Sequence, residues 1–101
     1  MIVSRWKAPT VPTMEQVKMF FEAEGLEWRE ESANPGDAVT EHRHPFDEVR
    51  MVVTGQMFFN VAGNQLMVRA GDRIEIPSNT RHEMRAEGSE PCVCVVASRP
   101  F

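Results

Sequence analysis

This chain of 101 residues is short of histidine, with three, and of cysteine, with two, and it has no long hydrophobic run. Its start, M-I-V-S-R-W-K-A-P, carries no extended apolar stretch behind its basic residues, so neither a secretion signal nor a membrane span is expected. It also lacks a basic stripe and any interleaving of aromatic with basic side chains. With a net charge of −4, nucleic acid is excluded as the expected partner. No internal repeat, low-complexity tract or linker divides it. A single soluble cytoplasmic domain, residues 1–101, is the expectation, large enough for one core but marginal unless something braces it.

The two cysteines, Cys92 and Cys94, lie one residue apart near the end. On a strand they share a face, which is poor geometry for a mutual disulfide. Zinc held by thiolates would need further partners at other spacings, and no histidine is spare for it. They are read as small apolar groups in a core strand, the alternative being a thiol that faces a cavity or is open to oxidation.

The three histidines are not scattered. His42 and His44 stand two apart, so on an extended strand both imidazoles project from one face. Pro45 and Phe46 break the run, and Glu48 can return a carboxylate to that face at the start of the next strand. His82 is the remaining candidate. A lone strand histidine is usually satisfied by backbone or solvent. Three imidazoles and one carboxylate, by contrast, suit a divalent transition metal: Fe, Mn, Ni, Co or Zn, without a choice among them. One ion per chain held by His42, His44, Glu48 and His82 is expected. A six-coordinate ion there would leave two positions for water, dioxygen or substrate.

These residues also carry a resemblance. Gly36, His42, His44, Glu48 and Gly55 fit the pattern G-x5-H-x-H-x3-E-x6-G, and Gly71, Pro77 and His82 fit G-x5-P-x-G-x2-H-x3-N. The two patterns in this order resemble those of the cupin superfamily. Asn79 stands at the second pattern's middle glycine, a mild change because Asn tolerates left-handed backbone. Ala86 stands at its terminal asparagine, so any contact from that amide is missing. The resemblance implies an all-β fold, a small double-sheet jelly-roll barrel with a ligand cavity between the sheets. It is specific for fold and metal and weakly specific for reaction.

Element signals agree with it. Residues 1–12, with Trp6, Pro9 and Pro12, read as an arm. Thr13 and Gln16 form a capping box before a short helix at 14–24, whose Val17, Phe20 and Phe21 need a surface to cover, and Gly25 stops it. Turn residues at 34–36, 63–64, 70–72 and 87–89 then separate strands at 38–44, 48–54, 56–61, 65–69, 73–76, 81–86 and 92–98. The domain therefore divides into an N-terminal arm and helix, 1–33, and a conserved barrel, 34–98.

Strand parity sharpens the site. If Glu48 points inward, so do Arg50 and Val52, while Val49, Met51 and Val53 point outward. Arg50 is then a candidate substrate contact through bidentate hydrogen bonds to a carboxylate or phosphate, or else an ion-pair partner that orients Glu48. Met57, Phe59, Val61 and Met84 are the expected apolar lining. The apolar outer face needs a cover, either the helix or a second copy of the chain, and a homodimer is the favoured expectation. No additional acid–base pair marks a reaction. A metal-dependent enzyme of oxygenase, isomerase or lyase type, acting on a small polar or anionic substrate, is favoured. A non-catalytic small-ligand binding or sensing module is the alternative, and enzyme activity is left open.

Overall fold

The structure is a computed structural model and describes residues 1–99, so the last two residues of the expected domain lie outside it. Helix α1, Met14–Ala23, starts where its local chemistry directs. Thr13 Oγ1 accepts from the Gln16 amide at 3.2 Å, and Gln16 Oε1 accepts from the Thr13 amide at 2.9 Å, completing the capping box. Glu24 closes the helix; Gly25 turns with φ +74°, and the Leu26 amide donates back to the Phe21 carbonyl at 3.0 Å.

Among the described residues nine strands form two antiparallel sheets. Their ranges are β1 Ile2–Ser4, β2 Arg29–Ala33, β3 Ala38–His42, β4 Asp47–Thr54, β5 Gln56–Val61, β6 Asn64–Arg69, β7 Arg73–Ile76, β8 His82–Glu87 and β9 Cys92–Arg99. One sheet has the order β1-β7-β4-β9-β2 and the other β3-β8-β5-β6. The chain repeatedly crosses between sheets, which is the jelly-roll arrangement. The β5–β6 hairpin turns at Ala62 and Gly63, with φ +49° and +87°, one residue earlier than the expected Gly63–Asn64 centre. Both central residues are left-handed, which matches the twist of a tight hairpin.

Two apolar clusters follow from alternation along the strands. The inner one lies between the sheets and includes Val52, Met57, Phe59, Val61, Ile74, Ile76, Met84 and Val96. Ala86 is fully buried in it, in the place where the second pattern has an amide. The outer cluster sits under α1, where Val49, Met51, Val53, Val95 and Ala97 meet Val17, Phe21 and Leu26. Fully burying a side chain such as Phe21 contributes roughly 1.5–3 kcal/mol, so a helix too short to persist alone is held by its docking. Glu24 at its end pairs with Arg73 and, at 3.5 Å, with Arg99.

The structure bears on three expectations. Met51 is 5% exposed in the single chain, so of the two covers expected for this apolar face α1 of the same chain supplies one. Phe20 belongs to the rim rather than the covered face; it is 38% exposed and lies 6.4 Å from the Trp6 ring. Residues 1–12 are not all arm either, since β1 pairs with β7, and β2, Arg29–Ala33, adds a further strand ahead of residue 34. Gly71 shows how closely the N-terminal stretch is seated: with φ +89°, an added Cβ would come within 2.6 Å of the Trp6 side chain.

Candidate metal centre

β3 and β8 pair so that His42 lies opposite His82, after an irregularity between Val39 and His42 that re-aims the end of β3. His44 follows in the β3–β4 turn. Its carbonyl accepts from the Asn79 amide at 2.7 Å, while Asp47 Oδ1 accepts from the Ser78 amide at 2.8 Å, tying this turn to the β7–β8 turn. Asn79 has φ +58°, the left-handed backbone that the glycine of the pattern supplies. The His44 ring stacks on Phe46 with centroids 4.1 Å apart and planes 4° from parallel.

In all three imidazoles Nδ1 faces a backbone carbonyl: Thr40 for His42 at 2.8 Å, Phe46 for His44 at 3.1 Å, and Thr80 for His82 at 2.9 Å. A carbonyl can only accept, so Nδ1 carries the proton in the neutral rings and Nε2 presents a lone pair. The ligating atoms of the three side chains all lie within 4.8 Å of one another. His44 Nε2 and His82 Nε2 are buried without a hydrogen-bond partner among the described residues. Buried acceptors are rarely left so, and several lone pairs aimed at one point repel unless a cation lies between them. The residues present therefore fit a divalent transition metal. Burial pushes the His82 imidazole below its usual range, with His42 and His44 adding to this, which keeps it in the neutral form that ligates.

Glu48, at the start of β4, stands at the edge of this set rather than inside it. Its Oε1 is 3.3 Å from His44 Nε2, and its Oε2 accepts from Arg50 Nε at 3.2 Å. Burial alone would raise its carboxyl, but the Arg50 charge and hydrogen bond, then His82 and His44, hold it below the ordinary range. As an anion beside the imidazoles it can act as a fourth ligand.

Arg50 faces inward as parity requires and is 2% exposed. Its Nη2 donates to Glu31 Oε1 at 2.9 Å, so the guanidinium joins two carboxylates. Burial works against its charge, and Glu48, Cys94 and Glu31 outweigh that, keeping it protonated. It lines a cavity of about 250 Å³ between the sheets together with Glu31, Asp37, Met57, Met84 and Cys92. Met57 and Met84 thus lie where alternation placed them. Cys92 and Cys94 are both buried, with sulfurs 3.7 Å apart and no disulfide. Cys94 is the more acidic of the two, through the hydrogen bond from Cys92 and the adjacent Arg50, while Cys92 is pushed up. Wider surface clefts, such as that beside Gly55, Arg69 and Gly88, hold none of the three histidines.

Sequence reasoning missed Glu31. The stretch R-E-E-S-A reads as solvated charge, and only the pairing of β2 with β9, opposite Cys94, carries Glu31 to the cavity mouth.

Fold and side chains together define a two-sheet jelly roll with a histidine triad able to hold a metal. Residues 29–98 match the cupin domain family, and the chain belongs to that family. It is 35% identical over 60 residues to acireductone dioxygenase of Bacillus licheniformis, covering 54% of this chain and 34% of the relative. It is also 35% identical over 68 residues to polyketide synthase CurC of Streptomyces cyaneus, covering 66% of this chain and 44% of the relative. The chain thus spans less than half the length of either curated relative. A predicted oxalate decarboxylase from Thermotoga maritima superposes with a TM-score of 0.69 at 20% identity, covering 80% of this chain and 74% of that one, a likeness of fold. Among the described residues no helix is long and apolar enough to cross a membrane.

Proposed function

We propose that this cupin binds one divalent transition metal through His42, His44 and His82, with Glu48 beside them, and works as a metal-dependent enzyme on a small molecule. The observation that carries the reading is the convergence of three imidazoles whose Nδ1 atoms are already engaged by backbone carbonyls. When bound, a metal of this kind supplies a Lewis acid with open positions for substrate or dioxygen. The chain's own part is orientation and exclusion of water. The Thr40, Phe46 and Thr80 carbonyls fix the tautomers, Phe46 clamps the His44 ring, and the inner apolar cluster keeps the surroundings dry. Glu48 keeps a negative charge next to His44.

The stretch shared with acireductone dioxygenase makes oxygenase chemistry the first to test; isomerase and lyase chemistry share the same open-site requirement. The experiment is metal analysis of purified protein, followed by oxygen uptake with a panel of small acids and diols. One ion per chain is expected, lost largely in His44→Ala and accompanied by substrate-dependent oxygen uptake. Stoichiometric metal retained after all three histidines are replaced would overturn the site. Metal and ligand bound without turnover of any panel member would overturn the enzyme reading in favour of a binding module.

A further inference from the structure

The Arg50 cavity contains a charged group with an unusual arrangement of partners. Arg50 is buried, and one of its carboxylate partners is buried with it: the Glu48 side chain is 6% exposed. Its other partner, Glu31, is different. That side chain is 38% exposed, sits on β2 at the edge of its sheet, and lines the cavity. Glu31 also has a second place to go, because its Oε2 already accepts from Arg29 Nε at 3.2 Å, and Arg29 is half exposed. A carboxylate shared between a buried and an exposed arginine can release the first and keep the second at small cost, since exposed ion pairs are weak and adaptable. Releasing Arg50 without a replacement is another matter, because a buried guanidinium left short of acceptors is expensive.

We propose that Arg50 is the anchor for a small carboxylate ligand in this cavity, and that the Glu31 carboxylate occupies the ligand's place in the free chain. The incoming carboxylate takes the hydrogen bond that Glu31 Oε1 now receives from Arg50 Nη2, and Glu31 turns out toward Arg29. No covalent step is involved. The volume, about 250 Å³, and the apolar walls of Met57, Met84 and Val39 select a compact acid with a short carbon skeleton. Charge explains why a free anion needs this exchange. Arg50 is already matched by Glu48, and Asp37 also lines the space, so an additional anion is repelled while Glu31 stays in place. Glu31 therefore sets the affinity of the site, and Arg50 sets its chemical class. Glu48 accepts from Arg50 Nε and its other oxygen lies 3.3 Å from His44 Nε2, so a carboxylate held by Arg50 would sit close to the triad.

The proposal deepens the small-molecule reading above by naming a substrate class, and its test separates the two. Malonate is titrated into the full chain by calorimetry, once after chelation and once with metal restored, at constant ionic strength, with sodium chloride as the control titrant. Glu31→Gln removes the competing charge and should tighten malonate binding roughly tenfold, the worth of one hydrogen bond to a charged group, with or without metal. Arg50→Lys, which keeps the charge but loses the fork, should weaken it by a similar factor. Unchanged or weaker binding in Glu31→Gln would overturn the proposal, and so would malonate binding found only in the metal-loaded chain. Glu31 lies on a half-exposed edge strand, so its variant remains decisive even if Arg50→Lys fails to fold. Malonate bound as expected without turnover of any acid sinks the enzyme reading and leaves the anchor standing.

Discussion

Replacing His82 by leucine should make the metal-free chain more stable and deprive it of its response to metal. In the free chain His82 is 1% exposed, and Nε2 meets no partner among the described residues, while Nδ1 donates to the Thr80 carbonyl at 2.9 Å. An unmet buried polar atom costs about 1–3 kcal/mol, and a single ordinary hydrogen bond returns about 0.5–1.5 kcal/mol. Leucine removes both at similar volume, and the half-buried Thr80 can turn to water for its carbonyl. The balance is a gain of about 1 kcal/mol, or roughly 4–8 °C in Tm for a domain of this size. Metal acts in the opposite sense. An ion that binds only the native chain adds about 2.7 kcal/mol at a hundredfold excess over its Kd, and leucine cannot ligate. Scanning calorimetry in EDTA and then in excess Zn(II) reads both effects. The variant should melt above the wild type in EDTA, and only the wild type should rise with zinc. A variant that melts far below the wild type in EDTA would refute the reasoning, because it would show that the imidazole holds the fold together rather than waiting for a cation.

Met51→Glu places a carboxylate under α1 among Val17, Phe21 and Val95; the loss of stability should be about 3–5 kcal/mol, read by urea denaturation. Retained stability with a changed sedimentation coefficient would instead place this face between chains. Asp72→Asn should loosen the N-terminal stretch by about 1–2 kcal/mol, because Asp72 accepts from the Trp6 and Arg69 amides and from Arg5 Nη1. Burial would raise the Asp72 carboxyl, yet those two amides and Arg5 hold it below its usual 3.8. Its stabilisation is therefore fully present above pH 3.8 and is lost as acid carries the pH down through the lowered value, so the variant and the wild type should converge in stability only in strong acid.

Much of the architecture was legible because its signals are local. Strands 56–61 and 73–76 occur with the expected ends, and the others within two residues, since alternation and turn chemistry both lie within a few positions of each other. The capping box of Thr13 and Gln16 is equally local. The histidine triad was legible for another reason: three scarce residues met two fixed spacings. What escaped was decided by contacts distant in sequence. β1 is three residues long and has no meaning without β7, and β2 is mostly charged yet pairs with the buried β9. Parity put Val49, Met51 and Val53 on the outer face, but whether a helix or a second chain covers them is a matter of packing. Parity also aimed Arg50 inward without revealing that Glu31 would meet it there.

The β3–β8 pairing has a consequence for how the protein is made. His42 and His82 become neighbours only when strands some forty residues apart in the chain have found each other. Closing so long a loop carries an entropic cost that a local pairing does not, so this contact is not a local, early event. A metal ion therefore has no preformed cradle in the nascent chain and cannot serve as its nucleus. Folding comes first and loading second, so refolding should proceed at the same rate in chelator as in metal. An ion bound as proposed would be whichever is present when an already finished protein first meets its surroundings.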